Sequence, residues 1–151
     1  MARNKTAREK LETQREAKVV DDPRGQGKML IPRPMDVDSL IRRIKRGKLV
    51  TVAQLRERLA GDAGADFTCP LTTGIFIRRA AAAAEEDRRA GKQAITPYWR
   101  VIRNDGSLND KAPGGIEAQA KQLRVEGHTI EPPKERKGLR IKDFEKRLQP
   151  L

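Results

Sequence analysis

The sequence predicts a mainly α-helical domain of the winged helix-turn-helix class, with a small β-wing and a flexible basic arm at the N-terminal end. Three observations lead there. Helical spacing of apolar residues recurs three times between residues 36 and 90, each stretch followed by a glycine. After Pro97 the pattern changes to a strand-like run and then Asn104-Asp105-Gly106, a strong turn signal. The charge is one-sided, with 33 Lys+Arg against 21 Asp+Glu and a formal net +12.

Residues 1–35 mix charge with Thr, Gln and Ala and offer few apolar anchors. They read as a mobile basic arm with a short helix near Thr6 to Ala17, ending in Asp-Asp-Pro and Gly-Gln-Gly. Met29 to Pro34 reads as extended, because Pro32 and Pro34 oppose a helix. Residues 36–130 form the predicted domain. Val37, Leu40, Ile41 and Ile44 make the first apolar stripe, capped by Asp36 or Asp38 and ended by Gly47. Thr51 is a good N-cap for the second, made by Val52, Leu55 and Leu59 and stopped by Gly61.

The third helix is expected from about Pro70 to Ala90, since proline suits a first turn and Ala80 to Ala84 are five strong helix formers. Glu85 and Arg89 stand at i, i+4 as a supporting pair. Tyr98 to Ile102 reads as a strand, so that Tyr98 and Trp99 point to opposite faces, one into a pocket and one into the core. A fourth helix is expected over Ile116 to Glu126, closed by Gly127. Residues 131–151 read as a C-terminal extension packing on the domain: a loop over Glu131 to Gly138, a short strand at Leu139 and Ile141, and a terminal helix at Phe144 and Leu148.

Composition narrows the function classes. The chain holds no run of 18 apolar residues, so no membrane span is expected. One cysteine and one histidine make neither an internal disulfide nor a closed zinc site, and no metal or cofactor is expected. These features suggest a cytoplasmic, nucleoid-associated protein with a polyanionic partner. Five aromatic residues are too few for a single-strand stacking platform, so double-stranded DNA read by a helix is the expected partner.

The third helix is then the recognition helix. Thr72, Thr73, Arg78 and Arg79 are the expected groove contacts, since hydroxyls near a helix N-terminus bond phosphate and arginines reach phosphate or guanine. Arg42, Arg43, Lys45 and Arg46, in a stretch without acids, are expected phosphate contacts. Cys69, at the start of the same helix, is the candidate nucleophile, because the helix N-terminus favours a thiolate. The competing reading makes it a small packed residue. His128 reads as an exposed residue without a role.

Thr96-Pro97-Tyr98-Trp99-Arg100-Val101-Ile102, Asn104-Asp105-Gly106, Gly114-Gly115 and Glu126-Gly127 together resemble the DNA-binding domain of the alkylguanine-DNA alkyltransferases. Gly47-Lys48-Leu49-Val50-Thr51 resembles the lead into that family's helix-turn-helix, and the resemblance covers roughly residues 36–130. In that family a Pro-Cys-His-Arg-Val motif carries the cysteine that accepts the alkyl group. Here Tyr98 stands in the cysteine's place and Trp99 in the histidine's. A phenol is a poor nucleophile toward an alkyl carbon at neutral pH. The chain is therefore most similar to the alkyltransferase-like proteins, which bind alkylated bases and pass them to other repair proteins. It looks closer still to a bacterial branch carrying Cys-Pro-Leu-Thr-Thr-Gly-Ile-Phe and Pro-Tyr-Trp-Arg together.

The resemblance implies a lesion pocket lined by Tyr98, Trp99, Pro113, Gly114 and Gly115. It also implies departures: Leu71 where an arginine intercalates, Val52 where a pocket tyrosine stands, and about a dozen extra residues around Ala81 to Gln93. Three functions remain open: a non-enzymatic binder of alkylated duplex DNA, an alkyltransferase using Cys69, and an architectural or regulatory DNA-binding protein without lesion recognition.

Overall fold

The computed structural model describes residues 5–13, 16–132 and 138–151. The elements run α1 (Ala7–Glu12), β1 (Lys18–Asp21), β2 (Lys28–Ile31), α2 (Pro34–Ile41), β3 (Val50–Thr51), α3 (Val52–Ala63), β4 (Phe67–Thr68), α4 (Pro70–Arg89), a 3-10 turn (Tyr98–Arg100), β5 (Val101–Ile102), α5 (Gly115–Val125), β6 (Ile130–Glu131), β7 (Arg140–Ile141) and a second 3-10 turn (Phe144–Arg147). The fold is mainly helical with short strands, a winged helix-turn-helix architecture as the sequence predicts. β1 pairs antiparallel with β2, which pairs parallel with β4; β3 pairs parallel with β5, Val50 opposite Val101. No helix among the described residues is long and apolar enough to cross a membrane.

Local chemistry explains most boundaries. α2 starts earlier than expected, with Pro34 at its first position, where the missing N–H costs nothing. Asp36 accepts from the Arg33 N–H at 3.0 Å, while Asp38 is fully buried and caps nothing. Thr51 caps α3 as expected, its hydroxyl accepting from the Gln54 N–H and the Gln54 side chain from the Thr51 N–H. That helix passes through Gly61 and ends at Gly64, which takes the left-handed conformation at φ 68°.

α4 lies between two apolar clusters. Phe76, Ile77, Ala80 and Ala83 pack with Leu11, Val37, Ile41, Leu55 and Leu59. Ala81 and Ala84 pack with Tyr98, Trp99, Leu108, Leu123 and Phe144. Consecutive alanines therefore serve both faces of one helix, because only small side chains let neighbours approach from both sides. Glu85 pairs with Arg88 at 3.3 Å rather than with Arg89.

The described residues of the expected arm form packed elements. α1 packs along α4, with Leu11 fully buried, a burial worth about 1.5–3 kcal/mol. Glu86 accepts from the Ala7 and Arg8 N–H groups at 2.8 and 3.2 Å, and Arg8 pairs with Asp87. Further along, Lys18–Asp21 and Lys28–Ile31 are joined by the backbone ladder of β1 on β2. Residues 1–4 and 14–15 of that arm lie outside the described residues, as do 133–137 of the expected loop.

The predicted strand at Tyr98 to Ile102 is also corrected. Its first three residues form a 3-10 turn, and only Val101–Ile102 are extended. The turn beyond them forms as expected, with Gly106 at φ 85° and its N–H donating to the Arg103 carbonyl at 2.9 Å. Phe144 packs against Gly106 where any Cβ would stand. The C-terminal segment closes the second cluster, Gln149 N–H donating to the Leu49 carbonyl at 2.8 Å. Its expected terminal helix is a single 3-10 turn.

Candidate nucleic-acid interface

The first turns of α4 are presented to solvent. Leu71 is 72% exposed, an unusual position for a leucine, and Arg78 is exposed on the same face two turns further along. Arg56, on α3, donates to the Thr68 carbonyl at 2.8 and 3.0 Å and so fixes the approach to α4. Thr72 is half-buried, and its hydroxyl lies 3.1 Å from Cys69 Sγ. Thr73 does not face solvent: it is fully buried and its hydroxyl donates to the Cys69 carbonyl at 2.7 Å. The sequence reading of Thr73 as a groove contact is therefore corrected: its hydroxyl is turned back onto the carbonyl of the N-cap residue, one turn earlier.

Cys69 is the N-cap of α4 and is partly exposed. Burial would raise its thiol. Hydrogen bonds from the Thr72 side chain and from the Thr72 and Leu71 N–H groups, with the charge of Arg56, outweigh burial and hold it below the ordinary thiol range.

A cavity of about 190 Å³ opens beside α4, between α3 and β5. Val52, Ile77, Val101 and Ile102 line it, and Arg78, Arg103 and Lys111 bring positive charge to it. Arg103 is paired with Asp110 at 2.9 Å; Arg78 and Lys111 have no ion pair among the described residues. Arg103, Lys111 and Arg56 were not singled out from the sequence. Of these, Arg103 alone carried a sequence signal, as the cation directly before the predicted Asn-Asp-Gly turn.

The expected pocket residues sit elsewhere. Tyr98 and Trp99 do not point to opposite faces: both are buried, their rings meeting edge-on at a centroid distance of 5.4 Å. In a 3-10 turn neighbouring side chains are about 120° apart, which lets both enter one cluster. The Tyr98 hydroxyl donates to Glu85 at 2.6 Å. Burial first, then Glu85, pushes its phenol well above the ordinary tyrosine range.

Trp99 Nε1 donates to Glu126 at 2.8 Å, and Arg88 and Arg100 each lie 5.6 Å from the Trp99 ring centroid. Glu126 also takes Arg100 at 2.9 Å and the Gly47 N–H at 3.2 Å. Burial would raise this carboxyl, but Arg100, then Trp99 and Gly47, hold it below the carboxylate range.

Pro113, Gly114 and Gly115 form the start of α5, with Gly114 at φ 77° and close to Ala118. None of these five residues lines the 190 Å³ cavity. The second half of α4 brings Glu85 and Arg88 over Tyr98 and Trp99, so that position is closed, and the cavity lies nearer Val52 and Lys111.

Arg42, Arg43, Lys45 and Arg46 are exposed, but their bonds are made away from the start of α4. Arg42 pairs with Asp38 at 2.9 Å, Arg46 donates to the Val125 carbonyl at 3.3 Å, and the Gln149 side chain bridges the Lys45 N–H and Arg43 carbonyl. None of the four lines the α4 cavity. His128 is buried, contrary to the sequence reading. No cluster of three metal-ligating side chains occurs among the described residues.

No protein-family model matches the chain, and no curated protein matches it in sequence. Among solved structures, the chain is similar to S. pombe Atl1, solved in complex with damaged DNA containing O6-carboxymethylguanine. The match has a TM-score of 0.52 and 17% identity, and covers 77% of this chain and 93% of Atl1. At that identity the likeness establishes a shared fold.

Proposed function

We propose that this chain is a non-enzymatic duplex-DNA-binding protein that docks the first turns of α4 in the major groove and takes up an alkylated base. The observation that carries the reading is the exposed start of α4 with the cationic cavity beside it. An apolar-walled cavity rimmed by Arg78, Arg103 and Lys111 suits an extruded base with its phosphates held at the rim. The fold shared with a protein solved on damaged DNA, and the motifs resembling the alkyltransferase family, both support it. Tyr98 in the acceptor position supports binding without transfer. Handing the lesion to other repair proteins belongs to the same proposal.

The closed position at Tyr98 favours a second reading, an architectural or regulatory DNA-binding protein without lesion recognition. Fluorescence-anisotropy titrations of plain and O6-alkylguanine duplex at two salt concentrations separate the two. The lesion reading expects tighter binding to the alkylated duplex, and loss of that preference in Arg103→Gln/Lys111→Gln. Equal affinity for both duplexes leaves the second reading standing. An affinity independent of salt overturns both, because phosphate contacts release counterions.

A further inference from the structure

We propose that the trough between α1 and α4 is a second track for the duplex backbone, holding phosphates beyond the reach of α4 alone. This rests on the reading of α4 as the duplex-facing helix. Two open clefts adjoin along that helix and share Ile75 and Arg79. The first, of about 540 Å³, brings Lys5 and Lys10 of the N-terminal segment against Arg78 and Arg79. The second, of about 640 Å³, adds Lys18 and reaches Thr72, with Glu16 its one carboxylate. The trough therefore starts at the exposed end of α4 and runs to Ala82, about 15 Å at the helical rise per residue.

The pairing of charges makes the trough a binding surface. On the side of α1 that meets the end of α4, Glu86 and Asp87 are consumed by the α1 amides and Arg8. Those bonds fix where α1 lies. On the trough side, Lys5, Lys10, Lys18 and Arg78 have no ion pair among the described residues, and Arg79 lies only over the Phe76 ring, at 5.4 Å. Five cations lining one trough with one carboxylate among them attract a polyanion, and neutralising them with phosphates releases counterions. The floor of Ala7, Ile75 and Ala82 is apolar and offers no side-chain group to read a base edge, so the polar partners on offer are the cations, which suit phosphates.

The test uses the full chain and a plain duplex titrated from 50 to 300 mM salt. Lys5→Gln/Lys10→Gln is compared with Lys142→Gln/Lys146→Gln, a charge-matched pair outside the trough. Each phosphate that a variant no longer neutralises lowers the slope of log affinity against log salt by about 0.9. The trough pair is expected to lose one to two units of slope and about tenfold in affinity near 150 mM salt, with the control pair close to wild type. Acetylation of Lys5 and Lys10 in the wild-type chain is expected to slow when duplex is bound, a readout independent of variant folding. Equal slopes for the two pairs, or no protection, overturn the trough while the α4 reading stands. Failure of the wild-type chain to bind duplex overturns both. Slope and protection seen with single strand alone overturn the duplex assignment.

Discussion

Tyr98 donates its hydroxyl to Glu85 across 2.6 Å, tying the 3-10 turn to the second half of α4. The bond joins the residue that the resemblance sets in the acceptor position to the last two turns of α4. Tyr98→Phe removes it and leaves a carboxylate that still pairs with Arg88. We expect a loss of about 1 kcal/mol in stability by urea denaturation. Preference for alkylated duplex should persist, because Tyr98 does not line the cavity. Loss of that preference with unchanged stability would instead put the base against position 98. The raised phenol pKa has a definite sign: its stabilisation is present below the unfolded value of about 10 and lost as pH climbs through the folded one. Ultraviolet titration should find Tyr98 still protonated where a free tyrosine ionises.

Thr96 tests how firmly that turn is anchored to α2. Its hydroxyl donates to Asp38 at 2.7 Å, and both residues are fully buried. Arg42 supplies the other bond, at 2.9 Å, from a half-exposed position. Thr96→Val keeps the shape and leaves a buried carboxylate one donor short, so a loss of about 1–3 kcal/mol is expected. Thr96→Ser should recover most of it. Equal denaturation midpoints for the Val variant and wild type would show that Asp38 is satisfied by Arg42 alone.

These two hydrogen bonds also mark where the sequence stopped being legible. Helices α2, α3 and α4 were readable because apolar spacing, Thr51 and Pro70 act locally. Glycines were readable as breakers but not as to which one acts: Gly61 stays helical while Gly64 takes the left-handed turn. α1 looked like an arm because Leu11 is its one large apolar anchor, and its other ties run to Glu86 and Asp87, far along the chain. Thr72 and Thr73 looked equivalent, yet one full turn of helix buries the second against its own N-cap. Tyr98 was placed in a pocket by resemblance, and the Glu85 of α4 that covers it stands 13 residues earlier, a contact no local pattern announces.

His128 gives a pH dependence. It is buried, and its Nε2 has no hydrogen-bond partner among the described residues. Burial, then the charge of Arg147, lowers its pKa below 6.5, with Glu126 opposing. The unfolded chain therefore binds the proton more readily than the fold. Stability from this residue is present above about pH 6.5 and is lost as pH falls through the folded value. His128→Gln should flatten the fall in urea midpoint between pH 7.5 and 5, compared with wild type. Parallel pH profiles would assign the acid sensitivity to carboxylates instead.

Cys69 separates thiol reactivity from alkyl transfer. The Thr72 hydroxyl and the N–H groups that start α4 favour its thiolate, so iodoacetamide should label the folded protein, and more slowly in Thr72→Val. Transfer from a damaged base asks for more: the alkyl carbon must arrive in line with Sγ. Cys69 caps the helix and does not line the cavity that suits a base, which lies beyond Gly74 and Ile77. Incubation with O6-alkylguanine duplex should therefore leave the intact mass unchanged, and Cys69→Ser should bind that duplex as wild type does. A mass gain on the peptide holding Cys69, absent in Cys69→Ser, would make the chain an enzyme and move the reacting base to the start of α4.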